Sequence, residues 1–166
     1  VAYPTEGVYG LGCDPANAGA VSRLLALKGR SRGLGLIVLA ADLGQVRHWA
    51  VLPEGAPGER VRASWPGFVT WVLVARPGTP EWLTGGRDTL AVRVSAHPVA
   101  AALARAAGRA LVSTSANPHG RPPARTPLGV RRYFGSALDG VVHGPLGGAP
   151  GPSPILDARS GARLRG

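Results

Sequence analysis

The run Leu34–Ala40, LGLIVLA, is apolar from end to end. A strand with one wet face alternates apolar and polar residues, so an unbroken run suits a strand buried on both faces. Such a strand needs covering layers above and below it. The rest of the chain supplies candidates for both. Val1–Tyr3, Val69–Ala75 (VTWVLVA), Thr89–Val94 (TLAVRV) and Ala110–Ser113 (ALVS) read as further strands, with a short Gly-flanked segment at Tyr9–Cys13. Gly140–His143, Pro154–Asp157 and Ala162–Arg165 read as short closing strands. Asn17 can cap a helix reaching Leu27, with Val21, Leu24 and Leu25 on one face. Short helices are expected near Asp42–Ala50 and Gly58–Ser64. Another starts at His97-Pro98 and reaches Ala107. The last has Thr126 as cap, Pro127 in its first position and its end near Phe134. Some strands follow one another directly, others alternate with helices. That pattern predicts a three-layer α/β domain with a twisted, mixed parallel and antiparallel sheet flanked by helices. Ligands of such sheets sit on loops beyond the strand ends.

The chain has 166 residues, long enough to bury one sizeable core, and no linker or repeat divides it. One domain over 1–166 is the reading. No apolar stretch approaches the roughly 20 residues of a membrane span, and no signal-peptide pattern opens the chain. The lone cysteine, Cys13, excludes an internal disulfide and a Cys-based zinc site. A cytoplasmic location without membrane contact follows as the expectation. The formal charge is +10, from 19 basic and 9 acidic side chains. That balance points to polyanions, either nucleic acid or nucleotide phosphates, or to an ordinary surface written in Arg. The basic side chains comprise 18 Arg and a single Lys, Lys28.

Four groups of residues can carry chemistry. Lys28-Gly29-Arg30 ends a helix ahead of the buried strand. It either complements the helix dipole or clamps phosphate, with Lys as a compact charge and Arg as a bidentate fork. Ser113-Thr114-Ser115-Ala116-Asn117 leaves a strand end with side chains able to hold oxyanions, or begins an Asx/Ser turn. Tyr3-Pro4-Thr5-Glu6 leaves the first strand similarly, so Thr5 and Glu6 either orient a polar ligand or form a turn. Arg93 lies within an apolar strand and needs an anionic partner, one of the few acids or a ligand. Trp65, Trp71 and Trp82 suit core packing better than a base-stacking platform. The four histidines have no metal-ligand spacing, and no Walker loop, GxSxG elbow or strand-linked GxGxxG is present.

In one order along the chain stand YPTEGVYGLGCDP, LKGR, GLIVLA, SWPGFVTWVL, WLTGG, LAVRVSAHP, LVSTSANPHGRPP and GPSPILDARSGARLRG. Together they resemble the threonylcarbamoyl-AMP synthase family, TsaC/YrdC, in its short single-domain bacterial form. The resemblance implies the YrdC-like fold with a basic concave groove. It implies synthesis of L-threonylcarbamoyl-adenylate and pyrophosphate from L-threonine, bicarbonate (or CO2) and ATP with Mg2+, for threonylcarbamoyladenosine in tRNA. Lys28 and Arg30 match the family's phosphate-contacting K-x-R, and Ser115 and Asn117 its S-x-N, as the catalytic set. By the same match Thr5, Arg93, Ser113 and Ser153 would hold threonine, with Arg93 on its carboxylate, and Thr89 and Arg165 would assist ATP. Mg2+ would ride on the ATP phosphates, with no protein ligands assigned. Implied partners are tRNA or double-stranded RNA and the downstream tRNA threonylcarbamoyl-transferase complex. The charge also fits a non-catalytic RNA- or nucleotide-binding module on the same fold; the intact K-x-R and S-x-N favour the enzyme.

The chain departs from the family pattern at four places. Ser31 replaces the usual Pro after K-x-R, and Leu34 replaces a basic residue. WPGF carries Phe68, and Pro154 follows Ser153. The last two are expected to reshape the pocket rim. The helix and strand start that precede YPTE in the family are expected to be missing.

Overall fold

A computed structural model of the protein describes residues 1–165. Its strands are β1 (Ala2–Pro4), β2 (Tyr9–Leu11), β3 (Ile37–Ala40), β4 (Ala50–Val51), β5 (Thr70–Ala75), β6 (Thr89–Val94), β7 (Leu111–Ser115), β8 (Ile155–Asp157) and β9 (Arg163–Arg165). Its helices are α1 (Ala18–Lys28), α2 (Leu43–Trp49), α3 (Gly55–Ala63), α4 (Glu81–Thr84), α5 (Pro98–Ala106) and α6 (Pro127–Phe134). The described strands form one sheet in the order β1-β2-β7-β3-β6-β5-β8-β9, with β4 paired to β5. The β3–β6 and β5–β8 pairs are parallel and the other named pairs antiparallel. The mixed, helix-flanked sheet expected from the sequence is therefore the architecture found.

Side-chain caps set the starts of α1, α2 and α6 as read, whereas α3 has no side-chain cap and begins at Gly55, ahead of the expected Gly58. Asn17 Oδ1 accepts from the Ala20 N–H, Asp42 Oδ1 from Gln45, and Thr126 Oγ1 from Gly129. Gly29 ends α1 in the left-handed region at φ 59°, ψ 38°, and the Gly29 and Arg30 N–H groups return to Ala26 and Leu25. Two elements were not foreseen: the single-turn α4 and the two-residue β4. Two expectations are corrected. Of Gly140–His143 only Val141 pairs, in an isolated bridge to Ala2. Its run is too short and too interrupted by Gly144-Pro145 to extend a ladder. The strand expected from Leu34 starts at Ile37, because Arg32–Leu34 turns as a 3-10 segment and Gly35 follows at φ 65°.

The two sheet faces carry different loads. Val38, Val92, Val112 and Trp71 form a cross-strand row on one face, in the larger core cluster with α1, α2, α3 and α6 side chains. Trp71 is fully buried and its indole N–H donates to Ser64 Oγ at 2.7 Å. Trp65 is buried and Trp82 half-buried, so all three pack rather than display their rings. On the other face Leu39 and Leu111 pack against Ala100 and Ala104 of α5. The remainder of that face, around Ile37, Ala91 and Ser113, is left for a cavity.

The Gly/Pro-rich segment 144–153 forms a strap beside that cavity, and its Pro152 and Ser153 line it. Tyr9 Oη donates to the Gly144 carbonyl at 2.9 Å, His97 Nε2 lies 3.1 Å from the Pro145 carbonyl, and Arg125 donates to Pro150. Gly147 N–H bonds to Thr5 and Ala149 N–H to Glu6. A Cβ on Gly7 would fall onto the Gly151 carbonyl, so the strap needs glycine there. Gly7→Ala is expected to lift the strap and cost about 1–3 kcal/mol. Urea denaturation measures this, and an unchanged midpoint would show that the strap yields without cost.

Candidate active site

One cavity of about 150 Å³ lies on the open sheet face. Its floor is a cross-strand row: Ala91 and Ser113 both stand opposite Ile37, one on each side of β3. Residues two apart share a face, so Arg93 follows Ala91 into the cavity and Ser115 follows Ser113. Thr5, Arg30, Arg93, Ser113, Ser115 and Ser153, six of the residues singled out in the sequence, line it together. Their order in the chain gives no hint of this convergence; strand register and the strap bring it about.

Lys28 and Asn117 stand directly behind the lining. Lys28 is 4 % exposed and ends α1. Its Nζ donates to the Ser115 carbonyl, to the Asn117 carbonyl at 2.7 Å and to Asn117 Oδ1 at 3.4 Å. Asn117 Nδ2 in turn donates to the Pro118 and Arg121 carbonyls. The K-x-R and S-x-N segments are thus one hydrogen-bonded unit. Among the described residues Lys28 makes no ion pair. Burial, and secondarily Arg30, push its ammonium down to about 8. The Arg30 side chain enters the cavity and donates to the Gly35 carbonyl at 3.1 Å. Arg87 clamps the same loop by donating to the Gly33 and Leu34 carbonyls.

Arg93 finds an acid within the protein. Its Nη2 lies 3.0 Å from Glu6 Oε2, and both side chains are nearly excluded from solvent. Burial pulls the Arg93 guanidinium below its ordinary value, against the opposing pull of Glu6. The Phe68 ring centroid lies 6.0 Å from the guanidinium carbon, so this departure from the family pattern faces Arg93. Ser153 Oγ is 2.8 Å from Thr70 Oγ1, and Thr5 Oγ1 donates to the Val8 carbonyl at 2.7 Å. Pro154 accepts the Thr70 N–H, which brings Ser153 up to β5. Leu34 lines the cavity mouth and is 54 % exposed. Thr89 lies outside the lining: it shares the Ala91–Arg93 face but stands four residues before Arg93 on β6, opposite Val74. Arg165 pairs in register with Ile155, a lining residue; its side chain lies outside the described residues.

Sequence reasoning missed Glu6 as the partner of Arg93, and also Arg87, Thr70 and the strap anchors Tyr9 and His97. The signal for Glu6 was present. With 9 acids against 19 cations, an Arg inside an apolar strand narrows the choice to the few acids near strand ends. The others are ordinary polar residues whose partners only the fold brings near.

This is a mixed-sheet α/β protein whose strand ends gather guanidinium and hydroxyl groups around a small oxyanion-sized cavity. Residues 1–165 match the Sua5/YciO/YrdC family, described as "Telomere recombination". The chain belongs to that family. It is 63 % identical over 167 residues to the threonylcarbamoyl-AMP synthase of Halorhodospira halophila, covering 99 % of this chain and 86 % of that protein. It is 55 % identical to the enzyme of the same name from Nitrosococcus oceani, covering 99 % and 89 %. The fold superposes on Pyrococcus abyssi Sua5 in complex with L-threonine, with a TM-score of 0.89, 31 % identity and 98 % of this chain covered. This chain spans about half, 48 %, of that Sua5 chain. Escherichia coli YciO shares the fold at a TM-score of 0.81 and 23 % identity.

Burial of Lys28 ties stability to pH. An unfolded lysine titrates near 10.5 and the folded one near 8. Between those values the unfolded chain binds the extra proton, so this lysine makes stability rise with pH across the window. The contribution is complete above about 10.5 and lost as pH falls through about 8. Urea titrations from pH 7.5 to 10 should show this increment in the protein and its absence in Lys28→Met. Parallel profiles for the two would refute it.

Proposed function

We propose that the protein is an L-threonylcarbamoyladenylate synthase. It joins L-threonine, bicarbonate and ATP into L-threonylcarbamoyl-AMP and pyrophosphate, for threonylcarbamoyladenosine modification of tRNA. The observation that supports this reading most is the convergence of Arg30, Arg93, Ser113, Ser115 and Ser153 on one cavity, with the Lys28 ammonium packed behind it. The relatives at 63 % and 55 % identity carry the same activity in their names.

The chemistry asks little of a classical acid or base. The threonine amine adds to bicarbonate carbon and water is lost, leaving a carbamate. A carbamate oxygen attacks the ATP α-phosphorus, and the bond to the bridging oxygen breaks to release pyrophosphate. The task of the protein is to bring anions together and to balance charge on phosphoryl oxygens. In this reading Lys28 and Arg30 serve the phosphates, a compact charge beside a planar fork. Ser115 and Asn117 hold the junction where carbamate meets nucleotide. Arg93 takes the threonine carboxylate, with Thr5, Ser113 and Ser153 around the amino acid. Thr89 and Arg165 attend the outer part of ATP. Mg2+ enters with ATP, carried on its phosphates as part of the substrate.

Pyrophosphate release should require all three substrates when they are omitted one at a time. Lys28→Ala should lower it by on the order of 10²–10³-fold, and Lys28→Arg should not restore it, since a guanidinium cannot occupy the ammonium's three-acceptor pocket. No pyrophosphate from the intact protein with threonine, bicarbonate and Mg-ATP present would sink this reading.

A further inference from the structure

Both Arg30 and Arg93 line one small cavity. Guanidinium groups match both carboxylate and phosphate geometrically, as planar bidentate forks. Nothing in the two arginines themselves keeps a triphosphate from settling on Arg93, or an amino-acid carboxylate on Arg30. The groups behind them differ. Behind the phosphate end stands Lys28, an ammonium without an ion pair among the described residues. Behind Arg93 stands Glu6, 3.0 Å away.

Glu6 cannot swing aside. Its Oε1 accepts from Ser95 Oγ at 2.8 Å, the Ala96 N–H at 3.1 Å and the His97 N–H at 3.3 Å. Its backbone carbonyl accepts the Ala149 N–H of the strap. The carboxylate is 10 % exposed and the guanidinium 6 %. In such a site the two charges are poorly screened, so the pair presents a neutral unit with outward N–H donors. A monocarboxylate can accept those donors. A phosphate or triphosphate adds two or more charges within reach of the Glu6 carboxylate and is repelled.

We infer that Glu6 is a specificity-determining residue. By holding its carboxylate against Arg93, it makes that end of the cavity a receptor for a monocarboxylate and excludes phosphoryl groups, so amino acid and nucleotide phosphates cannot exchange places. This rests on the synthase reading for the identity of the two ligands, but the charge selection is a property of the cavity itself. Removing the Glu6 charge has two opposing effects: Arg93 loses an orienting partner, and the cavity gains a full positive charge. The unscreened charge is the larger effect on anion binding. Loss of Glu6 should therefore admit phosphate, where loss of mere scaffolding would weaken every ligand alike.

The test compares the protein with Glu6→Gln, which retains an oxygen to accept from Ser95, Ala96 and His97. Inorganic phosphate is titrated into each free protein by calorimetry, and then into the complete reaction with adenylate product followed by chromatography. Glu6→Gln is expected to bind phosphate at least tenfold more tightly and to make phosphate competitive with threonine. Equal phosphate affinity in the two proteins, within twofold, overturns the proposal, as does inhibition that competes with ATP alone. Should Glu6→Gln fail to fold by circular dichroism, Glu6→Asp draws the charge back from Arg93 by one methylene. A rise in phosphate affinity of about threefold is expected there, and no rise overturns the proposal. If the unaltered protein forms no threonine-dependent adenylate, the synthase reading falls; the phosphate titration of the free proteins still decides the role of Glu6.

Discussion

The ammonium of Lys28 is the joint on which the site depends. A buried cation needs acceptors, and here those are the main-chain carbonyls of residues 115 and 117 with the Asn117 side chain. Satisfying that one charge brings the C-terminus of α1 to the end of β7. Arg30, two residues on, is thereby aimed into the cavity, and Ser115 is held at its edge. The His119 N–H, bonded to the Lys28 carbonyl at 2.7 Å, closes the same joint from the other side. A chain that writes its other cations as Arg retains lysine at the position where three acceptors converge on one small point charge.

A second buried cation, Arg93, is satisfied in a different manner, by a carboxylate from the loop after β1. The cavity thus lies between two compensated cations of opposite design, one seated on dipoles and one on a full charge. Sheet register sets the space between them, because Ile37 stands opposite both Ala91 and Ser113. The strap closes the remaining side, anchored by residues from β2, the loop after β1 and the start of α5.

Much of the architecture was legible in the chain. β6 and α6 have the boundaries read from TLAVRV and from Thr126-Pro127, because an apolar strand run and a capped, proline-started helix are local signals. The strand after Leu34 begins three residues late, since Gly33 and Gly35 permit a turn that hydropathy does not register. Gly140–His143 was apolar enough to read as a strand, yet it pairs only through Val141, because pairing depends on a partner and not on composition. Among site residues, Ser113, Ser115 and Arg93 reached the cavity by the period of two along their strands. Thr89 has the same parity but stands too far along β6 to join them.

The residue pattern by itself determined the layered α/β class, most of the strands and the identity of the polar groups at their ends, because each is a matter of local periodicity and chemistry. It also determined that Arg93 must have an anionic partner, since burying a guanidinium alone is too costly. Only the tertiary structure decided which anion that is, which face of the sheet stays open and which two segments share Lys28. The two buried charges join residues 87 to 89 positions apart, through sheet order and register, and no local signal decides those pairings.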